Sequence, residues 1–217
     1  MSVRRQLTRW ALASSSLLLV GAGTGCASGP EPLAFQNEVF YAYDQLSDSD
    51  LSRFEVPYPP LDLASKQPGF IGVGVLGSKV RFSRPKNWQI RSASNKPQGR
   101  FIEYMSPDQY MFAIYERLES PWDPWRVIMG HYEEDVKKKG GKILGEGVGM
   151  STYNAQGRAY NVQRPVDAPK EPLMSNTQEY LVRSDHRILL VQVVYQGKSL
   201  KSIDDEMMRV VQTLRVY

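Results

Sequence analysis

A single thiol is the most distinctive reactive group in this chain of 217 residues. Cys26 is the only cysteine, so an intramolecular disulfide is impossible. It follows an apolar run, Trp10 to Val20, and a run of small residues from Gly21 to Gly25. A nucleophilic thiolate needs a neighbouring base and a rigid pocket, and neither surrounds Cys26 in the sequence. The position therefore favours an attachment point over a catalytic thiol or a buried core cysteine.

The residues before Cys26 have the three parts of an export signal: a basic start, an apolar middle and small residues at the end. The eleven residues from Trp10 to Val20 rise only about 16 Å as a helix, roughly half the hydrocarbon thickness of a bilayer. This leader resembles the bacterial lipoprotein signal, in which the cysteine is diacylated through its sulfur and becomes the mature N-terminus. Gly23 stands where that family most often has an aliphatic residue.

The resemblance implies that residues 1–25 are a cleaved signal peptide and that Cys26 carries palmitate-type acyl chains. Two or three chains together give a stable membrane anchor. Ala27 and Ser28 follow the cysteine without an Asp, which favours the outer membrane in a Gram-negative envelope. The alternative is that Cys26 is not acylated and the domain is secreted.

Other reactive side chains give weaker patterns. His131 lies one helical turn before Asp135, which allows a general base, but an exposed pair on a solvated helix face is the simpler interpretation. His186 lies in a predicted hairpin turn. The adjacent acids Glu133 and Glu134 point in different directions on a helix and cannot form one carboxylate site with Asp135. We predict no catalytic residues, no metal site and no cofactor, since no hydrolase, nucleotide or metal motif occurs.

Three glycines are closely spaced between residues 72 and 77. Residues 72–77 match G-x-G-x-x-G formally, but a dinucleotide site requires a helix that opens at the third glycine. Residues 79–82 instead alternate like a strand, and Pro85 follows soon after. The sequence therefore argues against a nucleotide site.

The charge is unevenly distributed. Residues 27–65 carry one base and seven acids, whereas the remainder of the chain after them has a net charge of +7. A basic domain is attracted to anionic surfaces, although a solvated surface explains the same count. Trp122 is a candidate for ligand stacking, and the expected binding surface comprises Trp122, Lys137, Lys138 and Lys139. We expect no nucleic-acid partner, because the bases are scattered and the chain has an export signal.

The elements that would position these residues form an α+β pattern. Residues 26–69 are predicted to be an acidic, proline-containing linker with a short amphipathic helix over 33–46, and residues 70–217 to be the folded domain. A helix is expected after Asp123, whose side chain would supply a cap oxygen, and Pro124; it should end at Gly140, and a last helix is expected near Ser202. The apolar stripe of the first helix is predicted to comprise Trp125, Ile128, Met129, Tyr132 and Val136. Ile188 to Tyr195 is the most apolar run and should be a central strand. Strands are predicted at 79–83, 100–105, 110–117, 142–151, 157–164, 177–184 and 187–195.

The strand from Val80 to Phe82 runs into a Pro-x-x-Trp turn at Pro85 and Trp88, and the chain ends with a strand from Tyr180 and a helix to Leu214. This order resembles the Mog1/PsbP-like fold, which implies an antiparallel sheet flanked by helices over about residues 78–217. Members of that group act as binding or assembly modules, and no functional residue carries over. We therefore expect a membrane-anchored binding module with a protein or other envelope component as its partner. The alternative is a small-ligand-binding or enzymatic periplasmic domain with a pocket beside the sheet.

Overall fold

The computed structural model describes residues 52–59, 68–108, 110–166, 173–195 and 200–217. The leader, Cys26 and the predicted helix over 33–46 lie outside these residues. A 3-10 turn occupies Ser52–Phe54. The strands and helices are β1 Val56–Tyr58, β2 Phe70–Val75, β3 Val80–Pro85, β4 Gln89–Ser94, β5 Phe101–Met105, β6 Met111–Arg117, α1 Trp125–Lys138, β7 Lys142–Ile143, β8 Val148–Ser151, β9 Gln156–Val166, β10 Leu173–Arg183, β11 Ile188–Tyr195, α2 Leu200–Gln212 and β12 Arg215–Val216.

The described strands form two antiparallel sheets. The larger sheet has the order β4-β5-β6-β11-β10-β9-β7, with β8 also paired to β9, and the smaller has the order β1-β2-β3-β12. Apolar residues of both sheets and of α2 share one core, while α1 packs on the other face of the large sheet. The predicted α+β class with an antiparallel sheet is confirmed. The second sheet was not predicted.

Strand β11 lies in the middle of the large sheet, between β6 and β10, as predicted. Its alternate residues reach both cores: Val191 and Val193 face the core shared with α2, whereas Ile188 packs with α1. A strand that is buried on both faces needs apolar residues at consecutive positions, which explains the apolar run.

The first helix confirms the predicted apolar stripe, with Ile128, Tyr132 and Val136 buried. Its start differs from the prediction. Pro124 is the N-cap residue and no side chain caps the helix, so Asp123 does not supply the predicted cap oxygen. The backbone carbonyl of Asp123 instead accepts a hydrogen bond from Arg183. Gly140, at φ 72°, ends the helix as predicted.

The strand predicted over 142–151 is wrong as one element, because β7 and β8 are separate strands. Between them the chain turns at Gly145, which has φ 89°. Gly147 then lies against a side chain, because a Cβ there would stand 2.5 Å from Cε1 of Tyr160. The connection therefore folds down over the ring of Tyr160.

The glycines of the formal nucleotide motif have a packing role. Gly72 and Gly74 lie in β2, and the turn into β3 follows them, so no helix opens there. A Cβ on Gly74 would stand 2.5 Å from the ring of Tyr58, and one on Gly72 would stand 2.6 Å from the carbonyl oxygen of Pro59. The two glycines allow β1 to approach β2 closely. The structure thus confirms that the strand-turn-helix context of a dinucleotide site is missing here.

The range predicted to be a linker includes part of this sheet. Strand β1 pairs antiparallel with β2. Just before it, the carboxylate of Glu55 accepts two hydrogen bonds from Arg84, at 2.6 and 2.8 Å, and one from the hydroxyl of Tyr104 at 2.6 Å. Residues 52–58 therefore pack against the domain.

The Pro-x-x-Trp turn buries its tryptophan. Trp88 is buried, and its ring lies 5.1 Å from that of Phe112 and 5.9 Å from that of Tyr104. Arg84 donates to the carbonyls of Pro85 and Trp88 at 2.7 and 3.1 Å, which fixes the turn.

Within the described ranges, no helix is both long enough and apolar enough to cross a membrane.

Candidate functional site

The predicted binding residues lie at the two ends of α1. Trp122 precedes the helix and is 78% exposed. Lys137 and Lys138 are exposed in the last turn, and Lys139 is half-buried just beyond it. A 14-residue helix is about 20 Å long, so the tryptophan and the lysines do not form one surface. Cys26 lies outside the described residues.

Trp122 lines a pocket of about 560 Å³, which we call the aromatic pocket. Tyr153 lies on the same pocket and is 65% exposed. This volume falls within the range of small-molecule sites, about 300 to 1,000 Å³. The remaining lining is mainly polar, and the residues that contribute are Pro121, Ser151, Thr152, Asn154, Ala155, Gln156, Arg183, Ser184 and Asp185.

The segment that carries Trp122 is fixed by Arg183 of β10. Its Nη1 donates to the carbonyl oxygen of Asp123 at 2.9 Å. Its guanidinium also lies 4.5 Å from the ring centroid of Trp125, where a cation–π contact holds the first turn of α1. Arg183 therefore contacts the backbone before Pro124 and the side chain that follows it.

The segment that carries Tyr153 is fixed from the other side of the pocket. The amide of Asn154 pairs with the backbone of Val216, donating at 2.8 Å and accepting at 2.9 Å. The guanidinium of Arg215 lies 4.0 Å from the ring centroid of Tyr153. Strand β12 thus positions one wall of the aromatic pocket.

The lysine end of α1 borders a second, larger cavity of about 700 Å³, which we call the glycine-loop cleft. Three cationic side chains line it, from Lys137, Lys142 and Arg158, together with the acids Glu133 and Glu146. The charges nearly balance. The cleft therefore has no strong preference for an anion, although three of its lining side chains are basic.

Two groups at this end are perturbed by burial. Tyr160 is buried, its hydroxyl has no hydrogen-bond partner, and burial raises its pKa. Burial likewise lowers the pKa of Lys139, although Asp135 acts in the opposite direction. Tyr160 lines the cleft, but its hydroxyl is buried, and Gly147 packs against the Cε1 and Cζ atoms of its ring.

A third cavity, of about 450 Å³, lies beside β5 and β6 and includes Asp135 in its lining. The carboxylate of Asp135 accepts a hydrogen bond from Arg117 at 2.8 Å, and Arg117 also pairs with Glu119. His131 is exposed and lines none of the three cavities. The structure therefore does not direct Asp135 and His131 into one pocket.

His186 is exposed in the turn between β10 and β11, as predicted. Its backbone N–H donates to the hydroxyl of Ser184 at 3.2 Å. Among the described residues, no group of three or more His, Cys, Asp or Glu side chains is placed to hold a metal ion.

The sequence did not reveal a buried polar cluster on the α1 face of the large sheet. Glu179 is fully buried and accepts from Arg164 Nε at 2.5 Å and Nη2 at 2.8 Å. Tyr132 of α1 donates to the same carboxylate at 2.9 Å, and Gln192 donates at 3.0 Å. The pKa of Arg164 is raised above its ordinary value. Burial acts to lower this pKa, but the hydrogen bonds to Glu179 and the charge of Glu179 have the larger combined effect. The carboxylate is satisfied by structural partners.

Comparisons with known proteins give little beyond the backbone. No family model and no curated protein sequence matches the chain. Among solved structures, it is similar to a Pseudomonas aeruginosa protein of unknown function described as a candidate regulator, with 13% identity, a TM-score of 0.45, and coverage of 63% of this chain and 91% of that one. It is also similar to cyanobacterial PsbP (CyanoP) from Synechocystis sp. PCC 6803, with 8% identity, a TM-score of 0.46, and coverage of 70% and 94%. Neither similarity assigns a role to any residue of this chain.

Proposed function

We propose that this protein is a membrane-anchored bacterial envelope lipoprotein whose α+β domain is a non-catalytic binding or assembly module. The leader and Cys26 support the anchor, with the outer membrane favoured in a Gram-negative cell. The antiparallel sheet and the buried turn at Trp88 are consistent with the finer assignment to a Mog1/PsbP-like fold. The partner in this proposal is another envelope component.

One contrast carries the proposal for the domain. Glu179 and Arg164 are buried and form an ion pair, and Glu179 also accepts a hydrogen bond from the neutral side chain of Gln192. These interior charges therefore stabilise the fold. The aromatic pocket, in contrast, exposes Trp122 and Tyr153 to solvent. Exposed aromatic side chains are a common feature of recognition surfaces.

The alternative is a small-ligand-binding or enzymatic periplasmic domain. Of these two, a small-ligand-binding domain is favoured by the volumes of the aromatic pocket and the glycine-loop cleft, which are about 560 and 700 Å³. The enzymatic form relied on His131 and Asp135. Because Asp135 is paired with Arg117, it would first have to leave that partner.

Metabolic labelling with a palmitate analogue tests the anchor. We expect the full-length chain to be labelled and recovered with membranes, and Cys26→Ser to lose both properties. Ser28→Ala is the control, because it alters a neighbouring residue without removing the thiol. Unchanged labelling of the Cys26→Ser variant would rule out the anchor.

Crosslinking in intact cells tests the binding role separately. We expect the full-length chain to give one reproducible crosslinked envelope component, and Trp122→Ala to reduce its yield. Leu118→Ala is the matched control, because Leu118 is also exposed, at 74%, but does not line the aromatic pocket. Failure to recover any reproducible component, in cells where labelling shows the anchor, would contradict the binding role alone.

A further inference from the structure

The aromatic pocket has a mixed chemical character. Trp122 and Tyr153 are the two most exposed aromatic side chains among the described residues, and both lie on this one pocket. Exposing two large rings to water has no benefit for folding, because burial of aromatic surface is favourable. The rings therefore suit a ligand that can cover them.

The pocket is also organised before a ligand arrives. The backbone beside Trp122 is held by Arg183, and the segment at Tyr153 is held by Asn154 and Arg215. A site whose walls are already fixed loses little conformational entropy on binding. The backbone segments that carry the two rings are thus fixed before a ligand arrives.

The polar lining restricts the class of ligand. Hydroxyl groups from Ser151 and Thr152, the amide of Gln156 and the carboxylate of Asp185 place donors and acceptors beside the rings. Arg183 and Asp185 are opposite charges, so the lining does not select an anion or a cation. An apolar ligand would remove these groups from water without offering them a hydrogen bond, which costs free energy.

We infer that the aromatic pocket binds a neutral saccharide, as part of a glycan chain of the envelope. A sugar ring has an apolar C–H face, which packs on an aromatic ring. Its edge carries hydroxyl groups that both donate and accept hydrogen bonds, as the polar lining requires. This inference deepens the proposed binding role by naming its ligand class, and it does not depend on acylation of Cys26.

Titration calorimetry of the full-length chain in detergent, with chitotetraose and maltotetraose as probes, tests the inference. We expect saturable binding of at least one tetrasaccharide. We expect Trp122→Ala and Tyr153→Ala each to weaken it about 3- to 10-fold, the loss of one aromatic contact. Leu118→Ala is the control and should bind like the wild-type chain, since its side chain is equally exposed but lies elsewhere.

Three outcomes would overturn the inference. The first is no saturation by either tetrasaccharide at millimolar concentration with a chain that is folded by circular dichroism. The second is binding that both aromatic substitutions leave unchanged. The third is saturable binding of a proline-rich peptide at the same site with no response to either sugar. Labelling of Cys26 is unaffected by all three, so a failed anchor and a failed saccharide site are distinguishable.

Discussion

Two buried carboxylates on the α1 face of the large sheet have very different surroundings. Glu103 of β5 and Glu179 of β10 lie in one cross-strand row, joined through Ala113 and Gln192. Residues paired across strands share a face, so both acids point to the same side of the sheet. Three strand spacings separate them, or about 14 Å.

Their partners differ in number and in distance. Glu179 accepts two hydrogen bonds from Arg164 at 2.5 and 2.8 Å and two more from neutral donors. Glu103 accepts from the hydroxyl of Tyr115 at 2.9 Å, and its nearest cation, Arg91, is 3.8 Å away. Burial raises the pKa of Glu103, and Arg91 and Tyr115 only partly offset this. Whether a buried carboxylate stabilises the fold therefore depends on its hydrogen-bond and ion-pair partners and not on burial alone.

The largest expected effect comes from removing Glu179. Glu179→Ala leaves Arg164 buried without its partner, which typically costs about 3–5 kcal/mol in the free energy of unfolding. Urea denaturation of the full-length chain, followed by circular dichroism, measures this. Glu134→Ala is the control, because Glu134 is exposed on α1. A loss below about 1 kcal/mol, the value of a surface pair, would contradict the comparison.

The double variant Arg164→Met, Glu179→Leu sharpens that result. Replacing a whole buried ion pair by apolar residues of similar volume is often neutral or stabilising. We expect the double variant to recover only part of the stability lost in Glu179→Ala, because Tyr132 and Gln192 still lose their acceptor. A double variant as unstable as the single one would show that the loss comes from these two donors and not from the unpaired Arg164.

A smaller loss is expected for Tyr132→Phe. The substitution removes one hydrogen bond to the charged Glu179, worth about 1.5–3 kcal/mol, and keeps the ring that packs 4.8 Å from Tyr160. The same denaturation experiment measures it. Tyr153→Phe should be neutral, since Tyr153 is exposed. Equal losses for both variants would exclude a special role for the hydroxyl of Tyr132.

The smallest effect, and one of opposite sign, is expected for Glu103→Gln. The pKa of Glu103 is raised above its ordinary value of 4.5, so the native state holds this proton more tightly than the unfolded chain does. Native stability therefore falls as pH rises from the unfolded pKa through the folded one. We expect Glu103→Gln to be more stable than the wild-type chain at pH 7, by on the order of 1 kcal/mol, because a neutral side chain can still accept from Tyr115.

Denaturation at acidic and neutral pH checks this sign. The two chains should converge well below pH 4.5, where Glu103 is protonated in both the native and the unfolded state. A wild-type chain more stable than Glu103→Gln at pH 7 would show that Arg91 compensates the charge fully.

The sequence predicts those parts of the fold that repeat a pattern along a local segment. Ile188 to Tyr195 reads as a central strand because both of its faces are apolar, and the stripe of α1 follows helical spacing. Strand β4 has no such pattern, since Ser92 and Ser94 interrupt it. Strand β12 is only two residues long.

The buried polar cluster was beyond sequence reasoning for a different reason. Glu179 and Arg164 are 15 positions apart, and they meet only because β9 and β10 pair in one specific register. A shift of one residue would move Glu179 to the opposite face. Similarly, Tyr153 joins Trp122 on one pocket through a contact between distant segments, so the sequence indicated only Trp122.

The clamp between Glu55 and Arg84 also has a mechanical consequence. If fully extended, the residues between Cys26 and Ser52 would span at most about 90 Å. Among the described residues, a force that pulls on the N-terminal side acts first on Ser52–Phe54, then on Glu55 and on β1, a three-residue strand at the edge of the small sheet. The two hydrogen bonds from Arg84 bear that load before the β1–β2 ladder does. In a protein anchored at Cys26, they would resist the detachment of residues 52–58 from the domain.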